Sequence, residues 1–196
     1  MSYIIYYFYV LYANGGNVNT ILNVATIGGG TGHYHLLRGL RRVANLSIAA
    51  IVTVADNGGS SGGLRDELGV LPPGDILKVL LALTNLDPDF TRNFLLNRFK
   101  AGKFKEHTIG NLLIAKHAER MGMLSAIEAM RFLLCVDHTV LPVTTLPNIH
   151  LHATLSNGEK VHGEDKIDAY SGDERIEELR LSHAHAGVYP PVIRAL

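Results

Sequence analysis

A glycine-rich turn near the start of the chain has the composition of a phosphate-binding site. It follows an apolar run over residues 23–27 and precedes a helical pattern of apolar residues from Leu36 to Val43, so the sequence predicts a strand, a tight turn and a helix. Glycine lets the backbone approach a ligand, and a helix start offers unpaired N–H groups. His33 stands where the dinucleotide fingerprint has a third glycine, so a nucleotide site and an ordinary turn both remain open. The candidate residues are Gly28, Gly29, Gly30, Thr31 and Gly32.

A second glycine-rich segment follows the next apolar run, residues 46–54. We predict this run as a parallel strand. Because ligands of open α/β sheets bind beyond the carboxyl ends of the strands, both glycine-rich segments should lie at one edge of the sheet. Asp56 could bind a sugar hydroxyl or a metal, and the serines with their amides could bind a phosphate. The alternatives are an Asx-turn in a flexible loop, and an Arg65 paired in solvent with Asp66 or Glu67. The candidates are Asp56, Asn57, Gly58, Gly59, Ser60, Ser61, Gly62 and Arg65.

Two further helix starts carry polar residues. Gly74 and Asp75 precede the apolar helical pattern of residues 76–83, and Asp75 is suited to an N-cap as much as to a functional role. His107, Gly110 and Asn111 open a later helix, where His107 and Asn111 could contact a base, sugar or phosphate; a histidine at a cap is ordinarily structural. A solvated helix end is the favoured interpretation of the basic cluster Arg92, Arg98, Lys100, Lys103 and Lys105, and phosphate capture or partner binding is the alternative.

Composition limits the class of protein. The chain has 196 residues, of which 47% are hydrophobic, so it can bury a core and one domain is the default. Lys and Arg total 18, as do Asp and Glu, so the charge balance favours neither a nucleic-acid nor a membrane partner. The single cysteine, Cys135, is predicted to lie in the core and suits a reducing, cytoplasmic location.

The order of elements indicates an α/β fold. Residues 23–54 form a βαβ unit, and short strands follow beyond Asp137, with a hairpin signal at Asn157-Gly158. Of the segments before the last helix, only two are confident parallel strands. The sequence thus predicts a parallel sheet with a small β-hairpin extension.

Two His-x-His pairs, His150 with His152 and His183 with His185, raise the question of a transition metal. No cysteine or carboxylate pattern completes either set, so we expect solvated or hydrogen-bonded histidines and assign no metal.

The first 22 residues form a leader of different character. Five of the chain's eight tyrosines lie within its first twelve residues. The apolar run is too short to span a bilayer and lacks the features of a secretion signal. We expect an added edge strand or an adhesive leader that is compatible with a homodimer, followed by one domain over residues 23–196.

Four motifs in a fixed order carry a family resemblance. They are IGGGTG with LRGL over residues 27–40, TVADNGGSSG over residues 53–62, PPGDI over residues 72–76 and HTIGNLL over residues 107–113. Together they resemble the bacterial gluconeogenesis-factor (YvcK-type) proteins, which are related to the CofD-type 2-phospho-L-lactate transferases. The resemblance implies a Rossmann-like three-layer parallel sheet in a cytoplasmic factor for cell shape and gluconeogenic growth, with a UDP-N-acetylglucosamine type of ligand.

The resemblance also implies roles for residues. The first glycine turn would face the ligand phosphates, Asp56 and Asn57 would take the position of an acidic pair, and His107 with Asn111 would line the opposite wall. Asn57 replaces the usual second aspartate of that pair, and family members continue beyond the point where this chain stops, so we expect a chain truncated at its C-terminus.

Three functions follow from these observations. The first is a regulatory protein that binds a nucleotide or nucleotide sugar. The second is a Mg²⁺-dependent transferase of the phospholactate type, against which the loss of a charge at Asn57 argues. The third, an NAD(P)-dependent dehydrogenase, ranks last because its acidic residue should follow the glycines by about twenty positions, and Asp56 lies further on.

Overall fold

The chain forms a four-stranded sheet with helices packed on it and a separate three-stranded sheet. A computed structural model describes residues 8–9, 21–183 and 186–196. The strands are β1 (Phe8–Tyr9), β2 (Leu22–Gly28), β3 (Leu46–Val52), β4 (Thr139–Pro142), β5 (Leu151–Leu155), β6 (Lys160–His162) and β7 (Ile176–Leu181). The helices are α1 (Gly30–Leu40), α2 (Gly59–Leu68), α3 (Pro73–Leu83), α4 (Pro88–Leu96), α5 (Ile109–Met121), α6 (Met123–Leu133), α7 (Glu164–Asp168) and α8 (Pro190–Ala195).

The larger sheet has the order β1-β2-β3-β4. Strands β2, β3 and β4 are parallel, with Gly28 opposite Val52 and Val52 opposite Pro142. The α/β prediction with a parallel core is therefore confirmed. The sequence indicated only two confident parallel strands, because β4 is short and follows a crossover that contains α2 to α6.

Helix α3 occupies the centre of the helical layer. It packs against α1, α2, α4, α5 and α6, and ten of its eleven residues are buried. The exception is Lys78. A helix that is apolar on nearly all sides is buried on nearly all sides, and here Leu80 meets a core that includes Leu37, Ile48 and Ile114.

The smaller sheet has the order β6-β5-β7 and is antiparallel throughout. Strands β5 and β6 form the predicted hairpin, and its turn at Asn157-Gly158 includes a positive φ of 84° at Gly158. Strand β7 adds a third member that the hairpin prediction did not include.

Two local predictions are wrong in detail. Asp75 is not an N-cap, because α3 begins at Pro73 with Pro72 at the cap position. Cys135 is exposed, since α6 ends at Leu133 and the cysteine follows with a φ of 50°.

Only part of the leader prediction can be examined. Phe8 and Tyr9 pair antiparallel with Thr26 and Ala25 of β2, which agrees with an added edge strand. Most of the leader, and His185, lie outside the described residues, and the homodimer stays a prediction. None of the helices in the described part of the chain is long and apolar enough to cross a membrane.

Helix α5 crosses α3 at Gly110, and this close approach generates a prediction. A Cβ atom at Gly110 would lie 2.9 Å from Leu77 Cδ1 and 3.1 Å from the carbonyl oxygen of Leu95. Gly110→Ala should therefore lower the free energy of unfolding by about 1–3 kcal/mol, as overpacking of a core does. Denaturant unfolding followed by circular dichroism measures this change.

Gly39→Ala is the matched control, because no atom lies within 4 Å of a Cβ at that position of α1. It should raise the free energy of unfolding by up to about 1 kcal/mol through helix propensity. Equal effects of the two substitutions would contradict the packing argument.

Candidate functional site

The two glycine-rich segments meet at the carboxyl edge of the parallel sheet, as predicted. The residues that end β2 and β3 are paired in register, and the Thr53 N–H donates to the Gly28 carbonyl oxygen over 3.0 Å. Chain segments that leave these strands therefore start side by side. This edge is the usual ligand-binding position of an open α/β sheet.

The first glycine turn is packed against the protein's own side chains. A Cβ atom at Gly29 would lie against Thr53 Oγ1 and 2.5 Å from Asp75 Oδ2, so only glycine fits between β3 and α3. A Cβ at Gly28 would lie 3.1 Å from Cγ of the fully buried His33, whose Nε2 is 2.9 Å from Thr26 Oγ1. Burial lowers the pKa of His33. Packing thus accounts for the first two glycines of the turn.

The second glycine-rich segment consists of a short loop followed by the first turns of a helix. Asp56 Oδ1 accepts a hydrogen bond of 2.9 Å from the Gly58 N–H, which is the Asx-turn considered above. Helix α2 then begins at Gly59, with a φ of 48°. The first hydrogen bond along the helix runs from the Gly62 N–H to the Gly58 carbonyl, so the amides of the first turn have no acceptor within the helix.

A cavity of about 350 Å³ opens at this helix start. It lies between the first turn of α2 and the first turn of α5, and its lining combines backbone, hydroxyl, amide and charged groups. The lining residues are Asp56, Gly58, Gly59, Ser60, Ser61, Gly74, Lys78, Leu96, Arg98, Thr108 and Asn111. No residue of the first glycine turn, Gly28 to Gly32, is among them.

A polar relay joins the two helix starts across the cavity. Asn111 Nδ2 donates to Ser60 Oγ over 3.2 Å, and Ser60 Oγ lies 2.9 Å from His107 Nδ1. Thr108 caps α5 by accepting from the Asn111 N–H over 3.1 Å. Asn111 is 5% exposed, and its Oδ1 has no hydrogen-bond partner. Asn111 thus lines the cavity and carries a buried acceptor atom for which the described residues provide no donor.

The positive charges at the cavity belong to Lys78, which the sequence did not indicate, and to Arg98, for which phosphate capture was the less favoured interpretation. Lys78 Nζ lies 2.9 Å from Asp75 Oδ1, and Arg98 donates to the carbonyl oxygen of Glu106. The sequence feature that could have identified Lys78 as a residue near the site is its position one turn after Asp75 on the same helix. Arg98 was assigned to a solvated helix end, because the fold that brings it to α2 is not visible in the sequence.

Two carboxyl groups near the cavity, those of Asp56 and Glu164, have raised pKa values. Burial raises the pKa of Asp56, and the nearby Asp75 adds to that rise. Burial also raises the pKa of Glu164 to about 7, with further contributions from Asp56, Asp168, Asp75 and Asp165. No sequence motif indicates Glu164, since its position near Asp56 depends on how α7 and the smaller sheet pack beside the larger one.

Asn57 attaches the smaller sheet to the site. Its Nδ2 donates to Asp165 Oδ1 over 2.6 Å, and its Oδ1 accepts from the Asp165 N–H over 2.9 Å. An aspartate at position 57 could not donate to Asp165 and would repel it. The amide of Asn57 is therefore matched to the start of α7.

The residues at the site do not form a preorganised Mg²⁺-binding site. Asn57 is engaged with Asp165, and burial favours the protonated form of Asp56 and Glu164, whereas Mg²⁺ prefers ionised carboxylates. Among the residues that the structure describes, no three His, Cys, Asp or Glu side chains converge on a point where they could hold a metal ion.

Arg65, Gly62 and Gly74 hold the loop and the helices around the cavity in contact with one another. Arg65 is 1% exposed and donates to the Asp56 carbonyl and to Asp66, so it secures the loop and does not reach the cavity. A Cβ at Gly74 would lie against Ser61 Oγ, and one at Gly62 would lie against the Asn57 carbonyl. These glycines permit α3 and the loop to approach α2.

Comparisons with known proteins agree with the resemblance. A family profile described as 2-phospho-L-lactate transferase CofD matches residues 24–196. The gluconeogenesis factor of Bacillus subtilis is 40% identical over 172 residues, which are 87% of this chain and 53% of that protein. The gluconeogenesis factor of Listeria monocytogenes is 37% identical over 174 residues, which are 88% and 53%. A crystal structure of a Bacillus halodurans protein superposes with a TM-score of 0.79 at 38% identity, over 87% of this chain and 54% of that chain.

The chain spans about half the length of several curated relatives and 37–38% of others, among them the one from Clostridium acetobutylicum. The solved structure has the same fold over most of this chain. Because the family profile covers the chain from residue 24 to residue 196, the chain belongs to the CofD family and is similar to bacterial gluconeogenesis factors.

Proposed function

We propose that the cavity between α2 and α5 binds a nucleotide sugar of the UDP-N-acetylglucosamine type, and that the chain acts as a cytoplasmic regulatory protein for gluconeogenic growth and cell shape. One observation carries the proposal. Two helix starts and two cations line the same cavity, and Asn111 in its lining carries a buried acceptor without a partner.

The diphosphate would bind at the start of α2. The free amides of Gly59, Ser60 and Ser61 and the positive end of the helix dipole favour an anion there. Lys78 and Arg98 line the same cavity and supply the charge that the amides lack. Charge-assisted hydrogen bonds to phosphate are among the strong polar contacts of proteins.

The nucleoside or sugar would bind toward α5. Asn111 Oδ1 is buried and accepts only, so it selects a ligand group that carries an N–H or O–H. A uracil N–H and a sugar hydroxyl both meet this requirement. The relay from Asn111 through Ser60 to His107 fixes the orientation of the amide, so the acceptor is oriented before a ligand arrives.

The family description supports a second candidate, a Mg²⁺-dependent transferase of the 2-phospho-L-lactate type. Besides burial, the charge of Asp75 raises the pKa of Asp56, and the charges of Asp56 and Asp75 raise that of Glu164, effects that a bound cation would oppose. The poor fit of the ligand-free site to Mg²⁺ makes this the second choice.

A thermal-shift panel distinguishes these functions. The chain is melted with UDP-N-acetylglucosamine, GDP and NADP, each with and without Mg²⁺. At a hundred times its dissociation constant a ligand stabilises the fold by about 2.7 kcal/mol. We expect a shift with the UDP-sugar that needs no Mg²⁺. A shift with GDP that requires Mg²⁺ would instead support the transferase, and a shift with NADP alone would support a dehydrogenase.

Lys78→Met should weaken binding of the UDP-sugar by about 10- to 100-fold, because a charged hydrogen bond contributes about 1.5–3 kcal/mol. Lys116→Met is the matched control, since Lys116 also pairs with an acid three residues away, Glu119, but on the exposed face of α5. Isothermal titration calorimetry measures both affinities. A similar loss in the two variants would show that Lys78 does not contact the ligand.

The affinity for the UDP-sugar should fall as pH rises from 6 to 8. Glu164 has a pKa of about 7, so it gains a negative charge near Asp56 over this range, while the diphosphate keeps its charge. Glu164→Gln should remove this component, and Glu159→Gln, at an exposed turn residue, should retain it. An unchanged pH profile in Glu164→Gln would contradict the assignment.

The unliganded fold offers an independent check of the same group. A carboxyl whose pKa is raised on folding stabilises the protein below its unfolded value of 4.5, and this stabilisation is lost as pH rises through about 7. Glu164→Gln should therefore be more stable than the wild type at pH 8 and should show no such advantage at pH 4.5.

A further inference from the structure

Strands β5 and β6 bring two histidines together that are ten residues apart in the chain. His152 and His162 are direct partners in the antiparallel register. Their rings meet edge to face, with centroids 4.5 Å apart, and the two Nδ1 atoms face each other. The sequence analysis paired His152 with His150, because only the register of the hairpin reveals His162 as its partner.

The two facing Nδ1 atoms form a hydrogen bond when one ring carries its proton on Nδ1, and a cation that binds both nitrogens would replace that proton. In the neutral rings, each Nδ1 that carries no hydrogen has a lone pair, and two lone pairs repel unless a proton or a cation lies between them. Imidazole nitrogen is a preferred ligand of Zn²⁺, Cu²⁺ and Ni²⁺, and it binds Zn²⁺ at about 2.0–2.1 Å. A cross-strand pair on a rigid hairpin can supply two such ligands to one ion.

The surroundings leave the other coordination positions open. The pair borders a cavity of about 500 Å³ that also contains Lys160, Glu178 and Arg180. Arg180 Nε lies 2.7 Å from Glu178 Oε1, so its charge is compensated and repels a cation less. Within the described part of the chain no third side chain completes the set, so the remaining positions would hold water or an exogenous ligand.

We infer that His152 and His162 form a two-histidine site for a divalent transition-metal ion of the zinc, nickel or copper class, open to the cavity of the smaller sheet. The nearby ammonium group of Lys160 favours an anion as the exogenous ligand of the ion. This site lies on β5 and β6 and is separate from the cavity between α2 and α5, so it does not depend on the proposed nucleotide-sugar function.

The test uses protein without a histidine tag and the metal alone. Equilibrium dialysis against ZnCl₂ or NiCl₂ at pH 7.5, with metal analysis, gives the stoichiometry and affinity. We expect one ion per chain. Loss of either ligand should weaken binding at least about tenfold, the smallest effect seen for removal of a mere supporting partner of a metal ligand. His152→Ala and His162→Ala should each show this loss. The affinity of the double variant should be less than about tenfold below that of the tighter-binding single variant.

His117→Ala is the control, because His117 lies on α5 and contacts Ser125. It should bind the metal as the wild type does. Circular dichroism shows whether each variant is folded. If His162→Ala is misfolded, His162→Gln is measured in its place, since glutamine preserves the strand surface without an imidazole. Wild-type affinity in the folded His162 variants, equal loss in His117→Ala, or no binding by the wild type would overturn the proposal.

A second readout is the pH dependence of metal binding in the wild type. Both ligands must be neutral to coordinate, so affinity should fall as pH decreases below about 6.5. The charged groups that face the pair are Lys160, Glu178 and Arg180, with His150 and His183 beyond them. Affinity that does not change between pH 7.5 and 5.5 would contradict histidine ligation.

Discussion

The burial of α3 is the constraint on which the candidate site depends. Ten of its eleven residues are enclosed by the other helices and the sheet, so the helix cannot shift without opening the core. Its first turn carries Gly74 against Ser61, Asp75 against Gly29, and then Lys78 at the cavity. A core driven by apolar burial thus fixes the position of the charged groups at the edge of the sheet.

Packing places three carboxyl groups near one another, and a nearby cation and raised pKa values reduce their mutual repulsion. Three carboxyl groups, Asp56, Asp75 and Glu164, lie near a cavity that we expect to bind an anion, an arrangement that costs free energy when all are ionised. Lys78 compensates Asp75, and burial keeps the proton affinity of the other two high. The Asn57 amide is compatible with this crowding, because it adds no charge while it binds Asp165.

Membership of the CofD family extends to a chain that spans about half of its curated relatives. This chain, which corresponds to that part of the relatives, contains a continuous core and both helix starts of the cavity. The residues that line the cavity supply backbone amides and cations, and one of them, Asn111, carries an unpartnered acceptor; such groups suit ligand binding. The activities of the whole relatives need not reside in this part, and for this reason binding is the function that the geometry supports most directly.

Sequence by itself determined the class of fold, the edge of the sheet that carries the site, and most of the cavity residues from Asp56 to Ser61, with Asn111. These follow from local rules, since strands, helix starts and turns depend on neighbours in the chain. Tertiary structure decided the rest. The cavity gained Lys78 and Arg98 but not the first glycine turn, Glu164 acquired its raised pKa, and His162 became the partner of His152. Each of these outcomes depends on distant segments packing together, and neither residue type nor spacing encodes such contacts locally.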